Sequence, residues 1–143
     1  MLPTEPLALN HSWPIAERAS RFDLGVVHDS LKVPGGMPGL WRCEFPTERL
    51  IWSDAVYDLF GLPRGALITR QEAVRLYAEH SRAAMERLRN HALKHHRGFT
   101  LDVELRPVNG GVRWMRLVAA PFFRAGTLTA LEGLKFDVSA LYR

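Results

Sequence analysis

The sequence is poor in the residues that mark several classes of protein. It contains one cysteine, Cys43, which excludes an intramolecular disulfide framework and a multi-cysteine metal centre. Its apolar runs are far shorter than the ~20 residues that a membrane span requires. Its first residues, MLPTEPLALNHSWP, lack the basic start and the apolar stretch of a secretory signal. These absences predict a cytoplasmic protein that has no membrane partner.

What the sequence does contain is the composition of one folded domain. Of its 143 residues, 47% are hydrophobic and 24% are charged, which is typical of a globular protein and excludes a largely disordered chain. A chain of this length buries ~68–70% of its unfolded surface when it folds. We therefore expect a single domain with its own hydrophobic core.

Positive charge is concentrated in the middle of the chain. Residues 64–97 contain eight lysine or arginine residues against three acidic ones, whereas residues 1–63 contain five against eight. Such a segment suits phosphate groups or an acidic partner, but no helix-turn-helix or aromatic-and-basic strand motif accompanies it. A solvated helix face is therefore the preferred interpretation, and nucleic-acid binding is the alternative. The side chains that would bind nucleic acid are Arg70, Arg75, Arg82, Arg87, Arg89, Lys94 and Arg97.

Residues 1–38 differ from the rest of the chain. Ser12 is placed to cap a short helix that follows it. Residues 25–33 fit either a strand or a loop, and the run PGGMPG at 34–39 interrupts any regular element. We predict an N-terminal extension over residues 1–38, which serves in dimerisation or covers a sheet, and a folded domain over residues 39–143.

From residue 39 onward the hydrophobic pattern is regular. It predicts strands over 39–45 and 48–52, helices over 54–60 and 69–77, a longer helix from a Ser81 cap to about His96, and strands over 99–106, 112–123 and 127–138. In the last strand, Leu134 and Phe136 alternate with Lys135 and Asp137. The alternation places the lysine on the opposite side of the strand from the apolar residues.

The strand over 112–123 is apolar on both faces. One face carries Trp114, Val118 and Phe122 with Val112, and the other carries Met115, Leu117, Ala119 and Phe123. A strand of this kind is buried on both sides, so one face packs on the helices and the other needs a second cover. Residues 1–33 or another subunit would supply that cover.

Four segments at the joints of these elements resemble the PAS family. They are Gly39-Leu-Trp41, Ile51-Trp-Ser53 with Leu59-Phe-Gly61, Gly98-Phe-Thr-Leu-Asp-Val-Glu-Leu-Arg106, and Gly110-Gly-Val-Arg-Trp114. The last strand, Leu131-Glu-Gly-Leu-Lys-Phe-Asp-Val138, is similar to the terminal strand of that family. The resemblance covers residues 39–140 and implies an α+β fold: a five-stranded antiparallel sheet with helices on one face and a small pocket between them.

The resemblance also implies a function. PAS domains sense ligands, light, gases or redox state, or serve as protein-interaction modules, and they usually pair through the sheet face or a preceding helix. We therefore expect a stand-alone sensory module in signal transduction that acts through protein–protein interaction, as a homodimer or with a signalling partner, tuned by a small-molecule ligand. The expected interface residues are Trp114, Val118 and Phe122.

Cofactor binding is the alternative within the same resemblance. In haem-binding PAS domains the iron ligand is a histidine on the long helix, which makes His95 the candidate. A histidine in the last helical turn also gains from the helix C-terminus and can point to solvent. The Asn-Cys-Arg-Phe motif of flavin photoreceptors is absent, so an unoccupied pocket is preferred over haem or flavin. The residues expected near the pocket are Tyr57, Phe60, Met85, Leu88, His95 and Leu117.

Motifs of catalysis and metal binding are missing from the sequence. It has no phosphate-binding glycine loop, no Gly-x-Ser-x-Gly turn and no His-Glu-x-x-His. His91 and His95 are four residues apart on the predicted helix, but a zinc site needs at least three protein ligands and no third lies nearby. We predict neither enzymatic activity nor a metal site.

Overall fold

A computed structural model describes residues 12–22 and 38–142 of the chain. Its centre is an antiparallel sheet of six strands in the order β1-β4-β5-β6-β2-β3, and three helices, α2 to α4, pack against one face. The strands are β1 Ser12–Pro14, β2 Gly39–Glu44, β3 Arg49–Trp52, β4 Arg97–Leu105, β5 Arg113–Arg124 and β6 Thr127–Asp137. The helices are α1 Arg18–Arg21, α2 Asp54–Phe60, α3 Arg70–Val74 and α4 Glu79–His95, with 3-10 turns at Ile15–Glu17 and Ser139–Tyr142. The predicted α+β fold is confirmed, and β1 adds a sixth strand at the edge.

Local signals in the sequence set the bounds of α2. The helix covers the predicted residues and ends at Gly61, whose φ of 69° is left-handed and suits a residue without a Cβ atom. Ser53 occupies the N-cap position, but its hydroxyl accepts a hydrogen bond from the Leu40 backbone N–H at 2.9 Å instead of capping the helix. Ser53 therefore ties the helix to the first strand of the β2–β3 hairpin.

The start of the long helix differs from the prediction. The helix begins at Glu79, and Ser81 lies inside its first turn with 0% exposure. The Ser81 hydroxyl accepts a hydrogen bond from the Glu104 backbone N–H at 2.9 Å. The prediction of a Ser81 cap is therefore wrong, because the serine attaches the helix to β4. The preceding helix, α3, is shorter than expected and begins with a capping box between Thr69 and Glu72.

The N-terminal segment also differs from the prediction. Ser12 is not a helix cap but the first residue of β1, which pairs with the edge of β4. The predicted strand or loop over 25–33 and the run 34–37 lie outside the described residues. Within the described ranges, no helix is long and apolar enough to cross a membrane.

The sheet separates two hydrophobic clusters. The inner cluster lies between the sheet and helices α2, α3 and α4. We call the opposite side of the sheet the outer face, and residues 12–22 the cover segment. On the outer face, buried Val118, Ala120, Leu134, Phe136 and Val138 pack with Trp13, and Ile15, Phe22, Trp114 and Tyr142 are partly buried against them. The chain's own N-terminal segment thus covers part of this face.

The residues expected at an interface lie on this outer face, and their part in an interface stays a prediction. Val118 is 3% exposed, and Trp114 and Phe122 are half-buried. The Arg18 guanidinium lies 3.7 Å from the centroid of the Phe122 ring, and the Tyr142 ring lies 4.8 Å from that of Trp114. These residues are in contact with the cover segment and the C-terminal turn.

A buried ion pair fixes the C-terminal turn to the sheet. The Arg116 Nε donates to Asp102 Oδ1 at 2.6 Å and its Nη2 donates to Oδ2 at 2.7 Å, and the Tyr142 hydroxyl also bonds to Asp102. The Asp102 side chain is 2% exposed and that of Arg116 is 15% exposed. Hydrogen bonding and charge attraction from Asp102 outweigh the burial that opposes them and raise the pKa of Arg116 above its usual value.

We expect Asp102→Ala to lower the free energy of unfolding by about 3 kcal/mol, because it leaves a largely buried guanidinium without its counter-charge. Urea denaturation measures the loss. The matched control is Asp58→Ala, which breaks the exposed pair with Arg64 and should cost far less, because solvent screens an exposed ion pair. Equal losses in the two variants would contradict a structural role for the buried pair.

Candidate functional site

A small cavity lies between the inner face of the sheet and the helices. Its volume is about 50 Å³, which is room for a few water-sized groups. Apolar side chains form most of its wall, among them Trp41, Trp52, Met85, Leu117 and Leu131. The polar side chains in the wall come from Cys43, Arg70, Tyr77, Arg89 and Lys135. The predicted pocket therefore exists, and cationic groups are prominent in it.

Of the residues predicted for the pocket, some line the cavity and others pack behind its wall. Met85 and Leu117 line the cavity. Phe60 lies behind the wall, with its ring stacked on Trp52 at a centroid distance of 4.8 Å. Tyr57 packs edge-on against Trp52 and donates its hydroxyl to the Ala66 carbonyl at 2.9 Å. Leu88 is half-buried against the same hydrophobic core.

His95 lies outside the cavity. It is exposed in the last turn of α4, and its ring centroid is 4.6 Å from that of His91. Ala92 is the last buried residue of the helix, so the apolar stripe that pointed to His95 ends one turn before it. The geometric premise of a haem site is therefore not met. Among the described residues, no group of three or more His, Cys, Asp or Glu side chains is placed to hold a metal ion.

Lys135 is the residue of the site that sequence reasoning missed. It is 6% exposed, and its Nζ lies 4.8, 5.4 and 5.1 Å from the ring centroids of Trp41, Trp52 and Phe60. In the part of the chain that the structure describes, no carboxylate forms an ion pair with it. Burial is the main cause that lowers its pKa to about 7; Cys43 opposes the shift and Arg70 adds to it. The aromatic faces favour the charged form and partly offset burial.

Two arginines of the basic segment also belong to the cavity. Arg89 Nη2 contacts Glu48 Oε2 at 2.9 Å, and its side chain is 11% exposed. Arg70 pairs with Glu86 and approaches the same Glu48 at 3.9 Å. Two of the basic side chains proposed to bind nucleic acid, Arg70 and Arg89, therefore point inward and pair with carboxylates. A third, Arg97, donates to the Ser12 hydroxyl at 2.7 Å.

Cys43 and Tyr77 remain protonated in this environment. Burial is the largest cause that raises the pKa of the Cys43 thiol above its usual value, and burial raises the pKa of the Tyr77 hydroxyl as well. A thiol held in this form is a weak nucleophile, because the thiolate is the reactive species. Of the three groups, Lys135 is the one whose reactive form is populated near neutral pH.

Comparison with solved structures identifies the fold. The N-terminal domain of a diguanylate cyclase with a PAS/PAC sensor from Marinobacter aquaeolei matches with a TM-score of 0.69 and 16% identity, over 75% of this chain and 100% of that one. A sensory box histidine kinase/response regulator from Burkholderia thailandensis E264 gives 0.65 and 18%, over 84% and 87%. A PAS domain from Colwellia psychrerythraea gives 0.60 and 14%, over 88% and 98%.

The fold follows from these matches. The chain has the PAS fold. The resemblance read from residues 39–140 is thereby confirmed at the level of the fold. No protein-family model matches the sequence, and no curated protein is significantly similar to it.

Proposed function

We propose that the chain is a sensory module in which the inner cavity takes a small ligand and the cover segment reports whether the cavity is occupied. The observation that carries this proposal is that one face of β6 lines the cavity while its other face packs in the outer cluster. Lys135 faces the cavity, while its neighbours Leu134 and Phe136 face the outer cluster that contains Trp13. A displacement of this strand by a ligand therefore acts directly on the surface to which the cover segment is bound.

A second connection runs through β4. Phe99 lines the cavity, and the residues on either side of it hold Trp13. Gly98 is the register partner of Trp13, and Trp13 Nε1 donates to the Thr100 hydroxyl at 3.0 Å. Like β6, strand β4 thus contributes both to the wall of the cavity and to the surface under the cover segment.

A hydrogen bond joins the cavity wall to the backbone of β6. Trp41, whose ring packs on the Lys135 ammonium, donates its Nε1 to the Leu134 carbonyl at 3.3 Å. Movement of the Trp41 ring by a ligand would pull on the strand at the residue that packs against the cover. Tightly packed interiors transmit such displacements because they are not continuously deformable.

In the proposed sensor, the outer face is the surface that binds the next protein in the signalling sequence. When the cover segment leaves, Trp114, Val118, Leu134 and Phe136 form a continuous apolar surface. A surface of this kind buries itself against another protein, and a second copy of the chain supplies the same surface. The interface residues predicted from the sequence are then part of a released state, with the homodimer as its assembly.

A cavity-filling variant tests the coupling. Ala73 lines the cavity and is 4% exposed, so Ala73→Leu adds three carbon atoms where a ligand would lie. We expect trypsin to cleave after Arg18 and Arg21 about threefold faster or more in this variant, because overpacking moves the sheet against the cover. Mass spectrometry of the fragments measures the rates.

Ala83→Leu is the matched control, since it makes the same change at an exposed position of α4. If Ala73→Leu does not fold, the smaller Ala73→Val replaces it. Cleavage at the control rate in a folded cavity-filled variant would show that the cavity and the cover segment are independent, and the proposal would be abandoned.

A further inference from the structure

One polar group in the wall of the same cavity lacks a partner in the described part of the chain. Lys135 Nζ lies among three aromatic rings, and within the described residues no carboxylate pairs with it. Buried polar groups normally have partners, so this amine suggests a ligand that bonds to it.

The environment of Lys135 is that of a nucleophilic amine. A lysine that is excluded from water and lies near another cation loses its proton more readily, and its neutral form attacks carbonyl carbon. Here the pKa is lowered to about 7, mainly by burial and further by Arg70. A large fraction of Lys135 is therefore neutral amine near pH 7, in contact with the cavity.

A purely structural role explains Lys135 poorly. Lysine side chains in folded proteins almost always reach solvent or pair with a carboxylate, and a methionine of similar length would fill the same space without a polar atom. The aromatic rings stabilise an ammonium but leave its three N–H groups without acceptors among the described residues. The position is thus unfavourable for stability, which is typical of functional residues.

A carbonyl group matches this amine. Its carbon is the electrophile that a neutral amine attacks. The volume of about 50 Å³ limits the molecule to a few heavy atoms. The apolar wall at Met85, Leu117 and Leu131 suits a short alkyl chain. A small aliphatic aldehyde has all of these properties.

We propose that Lys135 captures small aldehydes reversibly as a Schiff base inside the cavity. The Nζ lone pair forms a bond to the carbonyl carbon, and the carbonyl oxygen takes up a proton to give a carbinolamine. Loss of that oxygen as water leaves the C=N bond, and the two hydrogens of the amine leave in the water. The step needs no oxidant or reductant, and hydrolysis reverses it.

Cys43 is the competing nucleophile in the cavity. Its thiol would give a hemithioacetal with the same aldehyde, but burial raises its pKa and depletes the thiolate. Capture by Lys135 rests on the proposed function, because it names the ligand class of that sensor. The chemistry and the signalling are separable: an adduct at Lys135 that leaves the cleavage rate after Arg18 unchanged would contradict the sensor and keep the capture site.

Reductive trapping with propanal and cyanoborohydride tests the capture on the full-length wild-type chain at about pH 7. The three lysines, Lys32, Lys94 and Lys135, are followed separately by peptide mass spectrometry. We expect Lys135 to be modified about tenfold faster than the exposed Lys94, because burial lowers the pKa of Lys135 and enlarges its fraction of neutral amine. Lys135→Met should remove the fast modification and leave that of Lys94 unchanged.

Two further observations make the result decisive. An aromatic aldehyde too large for the cavity should modify Lys94 but not Lys135 in the folded protein, and urea-unfolded chain should lose the preference for Lys135. Modification of Lys135 no faster than that of Lys94 would overturn the proposal. A fast modification that the large aldehyde shares would overturn the cavity as its site.

Discussion

Replacing Lys135 with methionine is expected to stabilise the protein at pH 7 by about 3 kcal/mol, because it removes an amine whose charged form is disfavoured by burial. Methionine has a similar length and no polar atom, so it fills the space among Trp41, Trp52 and Phe60. Urea denaturation of the variant and the wild type measures the difference. The corresponding control is Lys94→Met at an exposed position, which should leave the stability within about 0.5 kcal/mol.

The same residue predicts how stability depends on pH. The pKa of Lys135 is about 7 in the folded chain, below the ordinary lysine value of 10.5, so the unfolded chain binds more protons between these values. The free energy of unfolding therefore rises with pH from about 7, with a slope approaching 1.4 kcal/mol per unit. This rise in the free energy of unfolding can be followed up to about pH 8.5. Above that pH the raised pKa values of Cys43 and Tyr77 lower the free energy of unfolding as the pH increases.

A wild type whose stability is flat between pH 7 and 8.5 would contradict the assignment of a lowered pKa to Lys135. So would a Lys135→Met variant that keeps the full pH slope. A variant that is less stable than the wild type at pH 7 would instead show that the contacts of the ammonium with the three rings outweigh its burial.

Removing the ring of Trp13 is expected to release the cover segment. Trp13 is 1% exposed, and its Nε1 bonds to Thr100 at 3.0 Å. Trp13→Ala should lower the free energy of unfolding of the cover by about 3–5 kcal/mol and expose the outer face around Val118 and Phe136. We expect the variant to self-associate through that face, and light scattering over a concentration series measures the change in mass.

A second variant reaches the same result without changing the tryptophan. A Cβ atom at Gly98 would lie 2.1 Å from the Trp13 ring, so Gly98→Ala should displace the ring by steric conflict. Leu67→Ala, at a fully exposed apolar position, is the control for loss of hydrophobic surface. If both cover variants remain monomeric at high concentration, the outer face is not a self-association surface. Adding Val118→Asp to either one should restore the monomer.

The elements of the domain could be predicted because their signals are local. Gly61 ends α2 through its left-handed backbone, and the alternation in 99–106 and 127–138 matches the observed strands β4 and β6. The doubly apolar pattern of 112–123 predicted two buried faces of β5, and both clusters are present. Periodicity and turn chemistry depend on neighbours along the chain, so the sequence alone is enough to read them.

Ser12, Ser81 and His95 show where local signals are insufficient. Each serine fits a helix cap, but one belongs to a strand at the sheet edge and the other binds the backbone of β4. His95 continues the periodicity of α4, yet the surface it would pack on has already ended at Ala92. For the two serines a residue 23 or more positions away decides the outcome, and local periodicity carries no information about it.

By itself the sequence determined the order of strands and helices, the PAS fold and the presence of a pocket between sheet and helices. The tertiary structure decided which face of β6 packs toward the helices and which face lies under the cover segment. Alternation separates Lys135 from Leu134 and Phe136, but a lysine opposite an apolar row reads as solvent-facing. Here the cover segment buries the apolar row on the outer face, and the lysine is left in the core. The direction that a strand face points depends on what packs against it, and that packing comes from the distant residues 12–22.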